Sequence, residues 1–216
     1  KSGYRMNRNL RGIMKPKNVY YVTNPKVKDR FVIPSIIQNH QDNVKIFDSK
    51  KYLSEALLED DVDLIICDRP TFLLTEDQID KVKSNCFNIH PSYLPFNRGY
   101  HPNFWSFYDG TPSGTTIHNI DKNIDTGKII SQLRLSFDDH ETLSSTYDKL
   151  REASIYLFKV TYSLIRNDYD LRNALNNPLE IGKTNYRKDS EKIVNKLPNG
   201  WQTKVGFVRS MKKNKS

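Results

Sequence analysis

With 216 residues, 37% hydrophobic and 11% aromatic, the chain has enough material for one sizeable core and is cramped for two full domains. The composition excludes a disordered chain, no apolar run approaches the ~18 residues a membrane span needs, and the basic N-terminus lacks the apolar stretch of a secretory signal. The net charge of +9 is split between basic ends, +8 over residues 1–30 and +8 over 182–216, and an acidic middle of −7, which suits an anionic partner from a phosphate-bearing small molecule to RNA, or simply solvated ends.

In chain order, a basic extension over 1–17 precedes a first predicted strand, NVYYVT at 18–23, stopped by Asn24-Pro25. A helix over 29–40, broken or begun near Pro34, leads to a second strand at 43–48. The spacing of Leu53, Ala56 and Leu57 predicts a helix over 50–60 with Ser49 as its cap. VDLIIC at 62–67 is an unbroken apolar run of the kind found in a central parallel strand covered on both faces. Thr75 and Gln78 form a capping-box pattern for the next helix, and FNIH follows as a strand. Strand and helix alternating at this rhythm predict an α/β fold, a Rossmann-like, doubly wound and mainly parallel sheet. Further on, TTIHNI (115–120) and KIISQLRL (128–135) read as two strands joined by a hairpin-like loop. Residues 140–167 carry the longest helical pattern, with Asp139 as a candidate cap. There Leu143, Leu150, Leu157 and Leu164 recur every seven residues, but Tyr147, Ser154 and Thr161 are too polar for a strong coiled-coil seam, which favours packing on the sheet. The α/β domain thus spans 18–167, and a basic C-terminal appendage, irregular from 182 onward, spans 168–216.

Chemistry concentrates at one strand exit. In NIHPSYLP (88–95) Asn88 and His90 lie two apart, so they share a face of the strand while Ile89 points away, and two prolines stiffen the exit. An uncharged N–H donor beside a group that titrates near neutrality suits acyl transfer. An amide and an imidazole satisfying loop backbone is the competing explanation. The segment HNIDKNIDTGKI (118–129) adds Asp121 and Asp125 in a tight loop. It fails as a calcium loop, since position six is Thr126 and position twelve is Gln132. His90, His101 and His118 show no zinc-ligand spacing, and no Gly-rich phosphate loop occurs, so no metal is expected. Cys67 and Cys86 sit in apolar runs and read as core thiols of a reducing compartment.

NIHPSYLP, then Arg98-Gly99, then HNID-x-x-IDTGKII some thirty residues on, together resemble the folate-dependent formyltransferases. The resemblance covers roughly residues 18–165 and is most like the nucleotide-sugar enzymes of that group. It implies 10-formyltetrahydrofolate as formyl donor and places the family's catalytic trio on Asn88, His90 and Asp125. A protonated His90 and Asn88 would then stabilise the oxyanion formed when an amine attacks the formyl carbon, with Asp125 holding His90 and helping to remove the amine proton. The same resemblance puts the folate between the loop after VDLIIC, carrying Arg69, Phe72 and Leu73, and the loop holding Ile120, Asp121, Ile124 and Asp125.

For the acceptor, the resemblance offers three classes. The methionyl-tRNA enzymes carry a further C-terminal barrel for which this sequence leaves no room. The glycinamide ribonucleotide enzymes have a Gly-rich turn where this chain reads Thr23-Asn24-Pro25-Lys26. There remain the nucleotide-sugar enzymes, whose pattern NRGYHPNFWSFYDGTPSG (97–114) most resembles. That resemblance implies a dTDP- or GDP-linked amino-dideoxysugar, foremost dTDP-4-amino-4,6-dideoxyglucose, formylated in the bacterial cytoplasm for surface-glycan synthesis. Ser92, Arg98, Gly99, Tyr100, His101 and Lys128 would serve the acceptor, with Arg98 or Lys128 meeting its pyrophosphate. Residues 101–105 equally fit a structural helix packed by Phe104, Trp105 and Tyr108. A nucleic-acid-binding module would explain the basic ends but not the trio, and monomer and homodimer both stay open.

Overall fold

The computed structural model describes residues 15–83, 85–167 and 174–213. The first fourteen residues of the N-terminal extension, the start of the C-terminal appendage at 168–173 and the final residues 214–216 lie outside the described residues.

A six-stranded sheet runs in the order β2-β1-β3-β4-β6-β7. Its first half is built from β1 (Asn18–Thr23), β2 (Asn43–Phe47), β3 (Leu64–Asp68) and β4 (Cys86–His90), all mutually parallel. β6 (Ser113–Asn119) and β7 (Ile129–Leu135) extend the sheet antiparallel. The chain leaves β1 for β2 on one side and returns to β3 on the other, the doubly wound arrangement that opens a crevice beyond the carboxyl ends of the strands. A separate short pair, β5 (Arg98–Gly99) with β8 (Thr184–Asn185), lies outside the main sheet.

Helices cover both faces of the parallel half. α1 (Val32–Asn39) and α5 (Leu143–Arg166) bury Ile33, Ile37, Leu157, Phe158, Tyr162 and Ile165 against Tyr21, Ile66, Phe87 and Ile89. Pro34 falls in the first turn of α1, where its missing N–H costs nothing, so that helix starts at Val32 rather than at 29. On the other face, α2 (Lys50–Glu59) and α3 (Glu76–Lys81) bury Leu53, Leu57 and Ile79 against Tyr20, Val22, Ile65, Cys67 and Cys86. The Thr75–Gln78 capping box forms as expected, with Gln78 N–H donating to Thr75 Oγ1 at 3.3 Å and Thr75 N–H to Gln78 Oε1 at 2.9 Å. Ser49 occupies the cap position of α2 without a side-chain hydrogen bond. Both cysteines are free and buried, and burial pushes both thiols up, as core thiols require.

Two expectations change. The cap of α5 is Thr142, reciprocally bonded to Ser145, because the helix begins three residues later than the periodicity suggests, and Asp139 instead pairs with Arg209. The segment after 182 is not irregular: α6 (Arg187–Val194) and α7 (Val205–Lys213) pack Val194, Leu197, Val205 and Val208 into one cluster with Phe104 and Phe107 of α4 (Pro102–Asp109) and Leu143 and Leu150 of α5. The spacing of Val205, Val208 and Met211 is itself helical, but the partners these residues bury against are far away in sequence. Of the heptad leucines, the first three are buried and Leu164 is 52% exposed. A straight helix drifts about 20° per seven residues, so a stripe on one face rotates out by the fourth repeat. The spacing therefore records burial within this fold, Leu143 and Leu150 against the α4, α6 and α7 cluster and Leu157 against the sheet. No helix among the described residues is long and apolar enough to cross a membrane.

Candidate active site

β4 delivers Asn88 and His90 to one face, with Ile89 turned into the core beneath the other. Antiparallel pairing sets Asn88 opposite His118 and His90 opposite Thr116. Beyond β6 the chain loops back over the strand end. Asp121 closes that loop on itself, accepting from Asn123 N–H at 3.0 Å and Thr126 Oγ1 at 2.5 Å. Asp125 sits in left-handed backbone at φ 52, and Gly127 passes so close to β6 that a Cβ would fall 1.7 Å from the Asn119 carbonyl oxygen. Only glycine allows the loop to fold down, and folding down is what carries Asp125 to the strand ends.

Four groups meet the Asp125 carboxylate. Asn88 Nδ2 donates to Oδ1 at 3.1 Å and Gly99 N–H to Oδ2 at 2.8 Å. His90 Nε2 lies 3.5 Å from Oδ2, and His118 Nε2 lies 3.4 Å from Oδ1. Burial by itself would raise the pKa of Asp125. The His90 and His118 imidazoles and the Gly99 N–H outweigh it and hold the carboxyl well below the usual carboxylate range. Burial acts oppositely on His90 and wins there over the Asp125 charge, so the His90 pKa falls and the ring is neutral at rest. Its Nε2 faces two acceptors, the Asn97 carbonyl at 3.2 Å and Asp125, so the hydrogen is assigned to Nε2 and the lone pair to Nδ1. The protonated His90 implied by the family resemblance is therefore a state reached during reaction. Asn88 uses its amide hydrogens on Asp125 and at 3.2 Å on His118 Nε2, which leaves Asn88 Oδ1 buried without a partner.

The C-terminal segment holds this arrangement from outside. Asn177 Nδ2 donates to the Asp125 carbonyl at 2.9 Å and to the Gly127 carbonyl at 3.1 Å. Arg98 Nη2 donates to Asn177 Oδ1 at 3.2 Å, Pro178 O at 2.6 Å and Ile181 O at 3.4 Å. Next to it, Gly99 adopts φ 84 against Asn185, where a Cβ would meet the carbonyl oxygen at 2.3 Å. β5 and β8 thus clamp the loop whose backbone binds Asp125.

The residues assigned from sequence divide accordingly. Asn88, His90, Asp125 and Gly99 converge. Arg98 is buried within the fold at 2% exposure, its guanidinium directed at carbonyl oxygens of 177–181 rather than at open space. Ser92 is buried in the turn after β4 with its hydroxyl on the Phe96 carbonyl, and Lys128 is exposed beyond Gly127. His101 caps α4 in left-handed backbone, and that helix buries Phe104, Trp105 and Phe107, so the structural-helix reading of 101–105 is the one realised, with Tyr100 and His101 left at its rim. Of the residues that the family resemblance assigns to the folate, Phe72 and Ile120 pack into one cluster while Leu73 is exposed. Arg69 turns away to Asp29 at 2.8 Å and Asp68 at 3.3 Å. Two residues escaped sequence reasoning. The sequence offers His118 as a metal ligand alone, and its register opposite Asn88 follows only once the HNID strand pairs with β4. Asn177 gave no signal, since it lies in an aperiodic polar stretch 52 residues from Asp125.

The dTDP-4-amino-4,6-dideoxyglucose formyltransferase of Mycobacterium tuberculosis is 34% identical over 115 residues, covering 53% of this chain and 47% of that protein. A methionyl-tRNA formyltransferase of Bacillus cereus is 27% identical over 164 residues, covering 71% and 52%. The chain spans about half the length of the curated relatives it matches. Among solved structures, the formyltransferase PseJ of Anoxybacillus kamchatkensis, in complex with UDP-4,6-dideoxy-4-formamido-L-AltNAc and tetrahydrofolate, superposes with a TM-score of 0.77 at 30% identity over 88% of this chain and 97% of that one. A 4-N formyltransferase of Francisella tularensis superposes at 0.66 with 25% identity over 82% and 79%. The formyl transferase family model matches residues 17–160, which include Asn88, His90 and Asp125, and the chain belongs to that family.

Proposed function

We propose that this protein transfers a formyl group from 10-formyltetrahydrofolate to the amine of a nucleotide-linked 4-amino-4,6-dideoxysugar. The observation that carries the reading is an ionised, largely enclosed Asp125 met by Asn88, His90 and His118, with the Asn88 amide oxygen buried and unpartnered. A buried acceptor without a donor costs roughly 1–3 kcal/mol, and an incoming amine N–H would relieve it. The neutral amine attacks the formyl carbon, a C–N bond forms and the carbonyl becomes an oxyanion. The amine proton passes to the Asp125–His90 pair, His90 Nδ1 being the free basic nitrogen. Collapse breaks the bond to the folate nitrogen, which takes that proton as it leaves. One well-placed donor to the oxyanion contributes on the order of 3 kcal/mol. Donor and acceptor are both substrates, and no metal takes part.

The first acceptor is dTDP-4-amino-4,6-dideoxyglucose, the sugar in the mycobacterial relative's name. Its UDP-linked 4-amino-4,6-dideoxy-AltNAc counterpart has separate support from the Anoxybacillus neighbour, of which this chain covers 97%. Either product would enter surface-glycan synthesis from the cytoplasm. The test incubates the protein with 10-formyltetrahydrofolate and a panel of both sugars, dTDP-3-amino-dideoxyglucose, GDP-perosamine, glycinamide ribonucleotide and methionyl-tRNA. Mass spectrometry reads the formylated product, with His90→Ala alongside. Product on a 4-amino sugar that vanishes in the variant is expected. Product on tRNA or glycinamide ribonucleotide alone sinks the sugar reading.

A further inference from the structure

Among the described residues, the largest side chain that the fold buries completely is a cation, Arg98 on β5. Its guanidinium meets only uncharged acceptors, Asn177 Oδ1 and the carbonyls of Pro178 and Ile181. Arg98 Nε is buried without a partner, and no carboxylate among the described residues bonds to the group. A guanidinium cannot give up its charge at any accessible pH, so enclosing one is costly unless an opposite charge lies near.

That opposite charge is Asp125. Burial pulls the Arg98 pKa down, and Asp125 opposes it more than any other charged group, ahead of Glu180 and Asp121. Two connections hold the pair together without a bond between the charges. Arg98 directly precedes Gly99, whose N–H donates to Asp125 Oδ2 at 2.8 Å. From the other side Asn177 spans the gap, its Oδ1 accepting from Arg98 Nη2 at 3.2 Å and its Nδ2 donating to the Asp125 carbonyl at 2.9 Å. The other titratable groups around the Asp125 loop carry no comparable charge. His118 on β6 is an imidazole, Asp121 and Glu180 are acids, and Lys122 and Lys128 are exposed to solvent.

We propose that Arg98 is a positioning residue for formyl transfer: its permanent charge, set one residue behind the N–H that binds Asp125, keeps the Asp125–His90 pair deprotonated and ready for the amine proton. The proposal rests on the reading that this pair receives the proton, and deepens it. A fixed cation nearby disfavours proton uptake by the pair as a whole, whichever member holds the proton. A direct Arg98–Asp125 salt bridge would have the same effect on charge but would occupy the carboxylate oxygens. Held back behind Gly99 and Asn177, the guanidinium leaves both oxygens to neutral donors and to His90, so the pair stays basic and can still exchange a proton.

The experiment replaces Arg98 with citrulline, which keeps the shape and the forked N–H donors and deletes only the charge. Imidazole NMR of the ligand-free protein follows His90 against pH, its signal assigned by loss in His90→Ala. In the citrulline protein the pair should take up its proton about one pH unit higher than in the parent, and the acid limb of kcat should move with it. Arg98→Lys keeps a charge without the fork, so it should lose stability and retain the parental titration. An unmoved titration in the citrulline protein overturns the proposal and leaves Arg98 as a strut for residues 177–181. Should the citrulline protein fail to fold, Arg98→Gln supplies the charge-free form, and the same shift or its absence decides. Kinetics of Asp125→Asn separate this proposal from the reading beneath it. If that variant keeps the parental kcat, the proton-transfer reading falls and the role of Arg98 with it. If it is inactive while the citrulline titration does not move, the role of Arg98 falls alone.

Discussion

The carboxyl edge of one sheet carries two polar clusters on opposite faces, and they differ in how a buried carboxylate is balanced. Asp68 ends β3 beside Ile89 and shares its face. It accepts from Tyr21 Oη at 2.7 Å, Arg151 Nη1 at 3.0 Å and Arg69 Nε at 3.3 Å, and both arginines also bind Asp29. Two carboxylates face two guanidiniums, and the guanidinium charge is one that no accessible pH removes. On the other face Asp125 is balanced by neutral donors and two imidazoles. Its partners carry no permanent charge, and one of its neighbours keeps an unpartnered oxygen. The first arrangement ties α5 to the loop before α1. The second can exchange protons with a substrate. Each site holds a carboxylate within the fold, and whether its partners carry a permanent charge is what separates scaffold from chemistry.

That contrast can be broken from either side. The largest effect expected is on Asp125→Asn, which removes the charge around which the imidazoles are arranged while keeping the shape. Formyl-transfer kcat should drop by about three orders of magnitude, ~4 kcal/mol of barrier, with little change in melting temperature. A melting temperature that collapses with kcat would mean that Asp125 is scaffold too. Arg151→Met should show the opposite pattern. It leaves Arg69 alone to balance Asp68 and Asp29 and costs about 3 kcal/mol of stability by denaturant unfolding, with kcat at low temperature within a few-fold of the wild type. Equal stability of variant and parent would show the ion-pair quartet to be idle.

A smaller effect sharpens the comparison further. Asn177 touches the reactive loop only through backbone oxygens, so Asn177→Ala should lower kcat about tenfold and leave the KM for donor and acceptor near the parental values. A change confined to KM would reassign Asn177 to substrate binding. Finally, pH separates the faces. His90 and His101 have lowered folded pKa values, so the unfolded chain takes up their protons first, and their share of stability is present above about pH 6.5 and declines as pH falls below it. Asp29, Asp42 and Asp125 also have lowered folded values, and their share is present above about pH 3.9 and is lost below that. Melting curves recorded in steps from pH 7.5 to 3 should show two losses, and His101→Phe should remove part of the first. A single acid transition near pH 4 would contradict the neutral histidines.

Sequence reasoning succeeded where the determining interactions are local. The capping box at Thr75 lies within four residues, the alternation of 18–90 follows from period and length, and Asn88 and His90 share a face by the geometry of any strand. It failed where burial is distributed. α6 and α7 are amphipathic only with respect to partners on α4 and α5, and Arg98 reads as a surface cation until residues 177–181 close over it.

What the sequence determined by itself is the chemistry available and its rough place: an α/β sheet whose fourth strand ends in an amide and an imidazole, and a glycine-closed loop with an aspartate to meet them. These follow from backbone periodicity and side-chain type, which act within a few residues. Only the tertiary structure decided the protonation state of His90, the second imidazole of His118, the clamp of Asn177 and the burial of Arg98. Each depends on desolvation or on contacts between distant segments, and neither exists until the chain has closed on itself.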